Sequence, residues 1–166
     1  MLNVSRAWQV LESVPDPEVP VVSVVELGIV REIAEEADGL CVVVTPTYSG
    51  CPATELIGES IREALLAAGA PDVRLQTRLD PPWTSDWLGE AARDKLRAYG
   101  IVPPEQRACG QGGAGVQPLR FVRRQLACPR CGSTDTERLS EFGSTACKAT
   151  WRCRSCLEPF EYFKPI

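Results

Sequence analysis

Two closely spaced cysteine pairs constrain this chain more than any other feature of its sequence. "CPRC" contains Cys128 and Cys131, "CRSC" contains Cys153 and Cys156, and 21 residues separate the two pairs. A two-residue spacing lets both thiolates of a pair bind one tetrahedral ion at about 2.3 Å. Gly132 permits a tight turn after the first pair, and the flanking segments are strand-like. The pattern predicts structural zinc in an all-β ribbon. The alternatives are a rubredoxin-like iron centre, which has the same ligand spacing, a set of redox dithiols, or chance spacing.

The rest of the composition narrows the class of protein. The chain has eight cysteines and no histidine among 166 residues. Its first residues, "MLNVSRAWQVLESV", lack the apolar core of a secretory signal, and no apolar run is long enough to span a bilayer. We therefore expect a reducing, cytoplasmic compartment. Without histidine, Ser-His and Cys-His catalysis, His-ligated zinc and Glu-x-x-His di-iron sites are excluded within this chain. No Gly-rich dinucleotide fingerprint is present either.

The charge is distributed unevenly along the chain. Residues 1–119 hold nine basic and seventeen acidic residues, a net charge of −8, whereas residues 120–166 hold nine and five, a net charge of +4. The Gly- and Pro-rich tract between them reads as a linker. The sequence therefore predicts an α/β domain over residues 1–102, a flexible linker over 103–119 and a ribbon over 120–166.

Hydrophobic periodicity predicts the element order α-β-β-α-β-α for the first domain. A helix covers residues 5–14, and Asp38 and Gly39 form a hairpin turn between two strands. Ser23 and Glu26 match a capping box. Because the second and third strands flank a helix, they should be parallel through a right-handed crossover. The expected fold class is α+β, with a three-stranded mixed sheet and helices mainly on one face.

A cysteine lies at the junction between a predicted strand and a predicted helix, in "TPTYSGCPAT". Pro52 fits the first helical position, so Cys51 is the expected N-cap. The positive helix end would favour the thiolate and lower the pKa of Cys51. Asp16 and Glu18, in "DPE", could supply carboxylates near the same edge. The alternatives are a buried cysteine that fills space and a turn without further function.

Three further cysteines have weaker patterns. Cys147 lies six residues before Cys153 and would face the same side of a strand. It is a buried apolar thiol, an alternative ligand or a second reactive site. Cys41 lies within a strand and is expected in the core. No role is assigned to Cys109, which lies in the predicted linker.

Longer stretches of the sequence resemble known families. "DPEVP", "SVVELGIV" and "GLCVVVTPTYSGCPA" resemble the iron–sulfur assembly domain of SufT and of cytosolic iron–sulfur targeting factors, over residues 7–80. "PTYSGCPA", "PPWTSDWL", "KLRAYGIVPP", "CPRCGSTDTERLSEFGSTACKA" and "WRCRSCLEPFEYFK" resemble the PaaD family of bacterial phenylacetate catabolism. This second resemblance covers nearly the whole chain outside the linker.

The resemblance implies a non-catalytic accessory component of phenylacetyl-CoA 1,2-epoxidase, a multicomponent di-iron monooxygenase. Cys51 would be a reactive or cluster-handling thiol, with Asp16, Glu18 and Thr47 as its neighbours. Zinc would be structural, and iron or an iron–sulfur cluster would be bound transiently. The partners would be the oxygenase or the iron–sulfur flavin reductase, and no membrane partner is expected. Formation of a homodimer is left open.

Two other functions fit parts of the sequence. Arg120, Arg123 and Arg124 cluster in the basic module, as in a ribbon that binds nucleic acid, but the acidic first module would oppose phosphate binding. A thiol oxidoreductase could use Cys51, which lacks a resolving cysteine two residues away.

Overall fold

The computed structural model describes residues 2–48, 50–105 and 125–166. Their contacts divide the chain near Gly100: the first unit runs to Tyr99, and Gly100–Pro165 form the second. The predicted boundary lay slightly later, after Val102. Ile101 and Val102 belong with the second unit because they form a short strand that pairs there with Glu161 and Tyr162. Most of the predicted linker, including Cys109, lies outside the described residues.

The first unit has the predicted order of helices and strands. Its elements are α1 (Val4–Leu11), β1 (Val30–Glu36), β2 (Gly39–Val44), α2 (Thr54–Ala67), β3 (Val73–Thr77), a 3-10 helix (Ser85–Trp87) and α3 (Glu90–Tyr99). The sheet order is β1-β2-β3, with β1 antiparallel and β3 parallel to β2, as predicted. In the parts that the structure describes, no helix is long and apolar enough to cross a bilayer.

Helix α1 ends at Leu11, three residues before the predicted end at residue 14. The backbone N–H groups of Ser13 and Val14 donate to Val10 and Leu11, which is a tighter turn than an α-helix makes. Pro15 follows, and a proline disfavours helical backbone in the residue before it.

One face of the sheet packs against α2. A Cβ atom on Gly58 of α2 would lie 3.0 Å from Leu75 Cδ1, so this helix approaches the sheet closely. Leu75 is paired in register with Val42, which is fully buried. Ile61 and Leu65, one turn apart on α2, are also fully buried. The buried residues of α2 therefore form part of the core of the first unit.

The opposite face of the sheet is covered by charged side chains. Cys41 and Val43 alternate with the core residues of β2 and so point to this face, yet both are 5% exposed. Ion pairs join β3 to β1: Arg78 to Glu32 at 3.0 Å, and Arg74 to Glu36. Because β2 lies between these strands, the pairs extend across it. The prediction that Cys41 is buried is confirmed, but the side chains that shield it on this face belong to ion pairs and are not apolar.

The predicted hairpin turn is displaced by one residue. Ala37 and Asp38 form the turn, and Gly39 begins β2. A Cβ atom on Gly39 would lie 2.2 Å from the carbonyl oxygen of Asp72. Leu40 N–H donates to that same carbonyl at 2.9 Å. The glycine is therefore required by the close approach of β2 to the segment before β3, a contact that local turn rules do not contain.

The second unit is an all-β ribbon, as predicted. Its strands are β4 (Ile101–Val102), β5 (Thr136–Ser140), β6 (Lys148–Cys153) and β7 (Pro159–Phe163), in the order β4-β7-β6-β5. Trp151 packs edge-on against Tyr162, with ring centroids 6.4 Å apart. These rings share a small core with Leu126, Cys128 and Cys153. Two of the paired cysteines therefore belong to the packed interior of the ribbon.

An ion pair between a buried lysine and a partly exposed glutamate joins β6 to β7. Lys148, 3% exposed, lies 3.0 Å from Glu161, which also accepts a hydrogen bond from Ser144 N–H at 2.8 Å. Burial raises the pKa of Glu161, but the Ser144 and Lys148 interactions outweigh it and hold the pKa below its ordinary value. A Cβ atom on Gly143 would lie 2.7 Å from the Glu161 carboxylate. Glu161 thus fixes the turn before β6 as well as the lysine.

Candidate metal centre and thiol site

The four paired cysteines form one compact cluster. The sulfur atoms of Cys128, Cys131, Cys153 and Cys156 all lie within 4.8 Å of one another. Cys128 Sγ lies 3.7 Å from Cys156 Sγ, and Cys131 Sγ lies 3.6 Å from Cys153 Sγ. Four sulfurs bound tetrahedrally at the zinc–sulfur distance would be about 3.8 Å apart. Both the spacing and the soft thiolate ligands therefore fit zinc.

Two similar turns position the sulfur ligands. In the first, Gly132 N–H donates to Cys128 at 2.9 Å, with a positive φ of 74° at Gly132. In the second, Cys153 N–H donates to Glu158 at 2.9 Å, and Leu157 has a positive φ of 65°. Glycine adopts this backbone conformation without strain, whereas leucine does so at a cost. The sequence predicted the first turn from its glycine but gave no signal for the second.

Hydrogen bonds within the cluster separate the pKa values of two thiols. The backbone N–H of Cys156, with smaller contributions from Ser155 and Cys131, lowers the pKa of Cys153 to about 6. The backbone N–H of Ser133 lowers the pKa of Cys131, but the hydrogen bond to Cys153, burial and the other two cysteines together raise it to about 12. The Cys131 thiol therefore holds its proton more tightly than an ordinary cysteine, whereas the Cys153 thiol releases its proton more readily. Metal binding must displace such protons.

Cys147 lies outside this cluster. Among the described residues, only the four paired cysteines form a group of three or more metal-ligating side chains. Cys147 is 3% exposed, and its sulfur lies 3.0 Å from the Thr145 hydroxyl. Of the three interpretations of Cys147, the alternative ligand is wrong, and the buried thiol agrees with the structure.

The second candidate site lies at one edge of the first unit's sheet. Val44 ends β2 and is paired with Val30 at the start of β1 and with Thr77 at the end of β3. Thr45 N–H continues the pairing by donating to Ile29 at 2.8 Å. The loop that contains Thr47 and Cys51 therefore starts at this edge.

The "DPE" segment is tied to the same edge. Asp16 N–H donates to Val22, and Val24 N–H donates to Val14. Val24 in turn accepts hydrogen bonds from Ile29 and Val30, where β1 begins. The backbone of the Asp16 loop is therefore connected to the end of the sheet where β1 begins, and the loop that contains Cys51 starts at that same end.

Cys51 is half-buried, and a turn lies between it and the start of helix α2. Its N–H donates to Tyr48 at 3.2 Å, and its carbonyl accepts from Thr54 N–H at 3.2 Å and from the Thr54 hydroxyl at 2.8 Å. Helix α2 begins at Thr54, with Ala53 as N-cap. The prediction that Cys51 is the N-cap was therefore wrong by two residues, because Pro52 and Ala53 complete a turn before the helix starts.

Asp16 and the two threonines are buried. Asp16, 4% exposed, accepts hydrogen bonds from Glu18 N–H and Val19 N–H, both at 2.8 Å, so its carboxylate holds a turn. Thr47 is 8% exposed. Thr45 was not singled out from the sequence; it is 1% exposed, and its hydroxyl has no hydrogen-bond partner in the described parts of the chain. The one sequence feature that could have indicated its burial is its position directly after the apolar strand β2.

Long-range contacts hold the turn between the Asp16 loop and β1. The capping box is confirmed, since Ser23 and Glu26 exchange hydrogen bonds of 3.0 and 3.1 Å. The buried Trp83 indole donates to Leu27 at 2.8 Å, and the Arg31 guanidinium lies 3.5 Å from the centroid of the Trp87 ring. The sequence analysis missed this contribution of the two tryptophans, because they lie more than fifty residues from the turn.

Two known protein families match this chain, and each match includes one of the two candidate sites. The family described as "PaaD zinc beta ribbon domain" matches residues 114–164, and the family described as "Iron-sulfur cluster assembly protein" matches residues 5–75. An Escherichia coli K12 protein, provisionally named as a component of 1,2-phenylacetyl-CoA epoxidase, is 47% identical over 164 residues, covering 99% of this chain and 94% of that protein. The chain belongs to the PaaD family. The resemblance inferred from its motifs is confirmed.

The first unit of this PaaD-family chain is also similar to a separate group of proteins. The Fe-S protein maturation auxiliary factor YitW of Bacillus subtilis is 36% identical over 90 residues, which cover 52% of this chain and 85% of that protein. A crystal structure of a DUF59 domain from Bacillus anthracis is 26% identical, with a TM-score of 0.51, covering 55% of this chain and 89% of that one. The assembly-domain resemblance is thus confirmed for the first unit.

Proposed function

We propose that this chain is a non-catalytic accessory subunit of a phenylacetyl-CoA epoxidase. In this role it assists the assembly or repair of iron or iron–sulfur centres in the oxygenase or the iron–sulfur flavin reductase. The proposal rests on one observation above all: the 47% identity to the Escherichia coli epoxidase component extends across both units of the chain. The similarity therefore includes the assembly-type unit and the ribbon of this chain together.

The first unit supports the part of the proposal that concerns iron. It resembles proteins named as Fe-S maturation factors, and its loop places a half-buried Cys51 at the edge of the sheet. A thiol that solvent can reach is able to take up iron or a cluster and release it again. Asp16 holds the adjacent turn through its hydrogen bonds, so its proposed contribution is to shape the site.

The second unit supports structural zinc. Its four sulfurs form a closed set with no position left for substrate, which is typical of structural sites. The cysteines that bind the ion also contribute to the small apolar core, since Cys128 and Cys153 pack with Trp151 and Phe160. We therefore assign one zinc to Cys128, Cys131, Cys153 and Cys156.

The structure weakens the nucleic-acid alternative for the described part of the ribbon. Arg130 pairs with Glu158, and Arg138 pairs with Glu141. Arg152 and Arg154 both pair with Glu137. Little positive charge is left there for phosphates. The cluster of Arg120, Arg123 and Arg124 lies outside the described residues, so salt-dependent retention on DNA remains the experiment for this alternative.

Complementation of a strain that lacks this chain tests the proposal. The strain is grown on phenylacetate with the wild-type chain, with Cys51→Ser or with the matched control Cys109→Ser. We expect Cys51→Ser to lower growth and the iron content of co-purified epoxidase subunits, while Cys109→Ser lowers neither. Unchanged melting temperature and abundance would separate this effect from lost protein.

Two results would contradict the proposal. Partner subunits with their full iron content in the Cys51→Ser strain would contradict the assembly role. Affinity purification that recovers no other epoxidase component with the wild-type chain would remove the partner assignment. Turnover of a disulfide substrate by the wild-type chain, lost in Cys51→Ser, would instead favour the thiol oxidoreductase.

A further inference from the structure

We propose that the four-cysteine centre is sensitive to peroxide, with Cys131 as the point of attack and Cys153 as its disulfide partner. Oxidation joins these two residues across the two turns and releases the bound ion. This inference rests on the zinc assignment in the proposed function. It adds a redox response to a centre that would otherwise be only structural.

Exposure singles out Cys131 as the point of attack. Cys131 is the exposed member of the cluster, whereas Cys156 is half-buried. Cys128 is 2% exposed and Cys153 is fully buried. Oxidation of cysteine by peroxide follows thiolate character and access from solvent. Binding to a cation makes all four sulfurs thiolates, so access then decides which of them reacts first.

A short contact between the two turns points to Cys153 as the disulfide partner. Cys131 Sγ lies 3.6 Å from Cys153 Sγ, and Cys128 Sγ lies 3.7 Å from Cys156 Sγ. A disulfide requires sulfurs about 2.0 Å apart, closer than two ligands of one tetrahedral zinc ion can be. Formation of the first disulfide therefore removes two of the four ligands. The second pair stays in contact and can follow.

The proposed chemistry balances with hydrogen peroxide as oxidant. The Cys131 thiolate attacks one peroxide oxygen and breaks the O–O bond, giving a sulfenic acid and hydroxide. The Cys153 thiolate then attacks the sulfenic sulfur, forms the S–S bond and expels a second hydroxide. The two sulfurs together lose two electrons, and one peroxide molecule gains them. The ion then leaves the two remaining thiolates.

Peroxide titration of the full chain tests this inference. Cys51→Ser and Cys109→Ser together remove the half-buried thiol and the linker thiol, while Cys41 and Cys147 remain because they are buried. Bound zinc is measured before peroxide is added. A chromogenic chelator follows its release, and N-ethylmaleimide blocks the remaining thiols before disulfides are mapped by mass spectrometry. We expect Cys131–Cys153 as the first disulfide, loss of zinc in proportion to it, and reversal by dithiothreitol with added zinc.

The possible failures are distinguishable. A first disulfide within one pair, Cys128–Cys131 or Cys153–Cys156, would overturn the inference and leave the zinc assignment intact. Retention of zinc at peroxide concentrations that oxidise Cys51 in the wild-type chain would also overturn the inference and leave the zinc assignment intact. Protein that carries no metal before peroxide is added would overturn the zinc assignment and this inference together.

Discussion

Cys51 differs from two other cysteines in its access to solvent. It is half-buried, whereas Cys41 is 5% and Cys147 is 3% exposed. In the zinc-loaded Cys109→Ser variant, we therefore predict that Cys51 is the first cysteine outside the four zinc ligands to be modified by limited alkylation of the folded protein. Cys41 and Cys147 should react only after unfolding. Mass-spectrometric mapping of the modified peptides measures this order, and native labelling of Cys41 before Cys51 would contradict it.

Leu157 has an unfavourable backbone conformation without compensating burial. Its φ is 65°, and 69% of its surface is exposed. We predict that Leu157→Gly stabilises the second unit by about 0.5–1 kcal/mol, since relief of left-handed strain exceeds the entropy that glycine adds to the unfolded chain.

Leu139→Gly is the matched control, because Leu139 is similarly exposed, at 52%, but lies in strand β5. Glycine in a strand should destabilise by about 0.5–1 kcal/mol. Denaturant unfolding of both zinc-loaded variants measures the difference. Equal destabilisation by the two substitutions would show that the backbone of Leu157 is not strained.

At the scale of elements, the contact between β6 and β7 depends on Glu161. We predict that Glu161→Gln destabilises the second unit by about 1–3 kcal/mol, because it removes the charge opposite the buried Lys148 amine. Glu158→Gln is the control, since Glu158 pairs with the exposed Arg130 and such surface pairs contribute less than about 1 kcal/mol.

The same carboxylate predicts a pH dependence. The pKa of Glu161 is lowered in the fold, so its contribution is complete above the pKa of the unfolded chain. It is lost as the pH falls through the lower pKa of the folded chain. The stability difference between wild type and Glu161→Gln should therefore shrink on acidification below about pH 4. Unfolding curves at several pH values measure it, and a difference that grows at low pH would contradict the assignment.

At the scale of the whole molecule, the metal should stabilise one unit and not the other. The second unit has a small core, so we predict that Cys128→Ser unfolds it while the first unit keeps its own melting transition. Hydrogen exchange of the variant distinguishes the two units. A metal-free protein with a protected ribbon would contradict this prediction.

Acid should release the metal from the wild-type chain. The pKa of Cys131 is raised to about 12 and that of Cys153 lowered to about 6 without a metal, so binding at neutral pH displaces protons. Protons compete with the metal, and zinc affinity should therefore fall steadily as the pH is lowered from 8 to 5. Zinc content after dialysis at each pH measures this, and a constant affinity would contradict it.

Much of this fold could be predicted because the signals lie within a few residues of one another. The cysteine spacing, the capping box of Ser23 and Glu26 and the alternating strands belong to this class. The helix start near Cys51 was misplaced because proline is compatible with both a turn and a first helical residue. The short strand at Ile101 could not be predicted, since its partner in β7 lies sixty residues away.

The sequence by itself determined the four-cysteine cluster, the order of the elements and the parallel pairing of β2 with β3. Cysteine spacing, periodicity and crossover handedness depend on chain geometry that is the same wherever a segment lies. Only the tertiary structure decided that Cys41 lies beneath ion pairs, that Asp16 holds a turn and that Cys131 contacts Cys153. Each of these depends on which side chains and backbone groups meet in the folded chain. No local pattern specifies that, because burial and contact distance are properties of the packed chain.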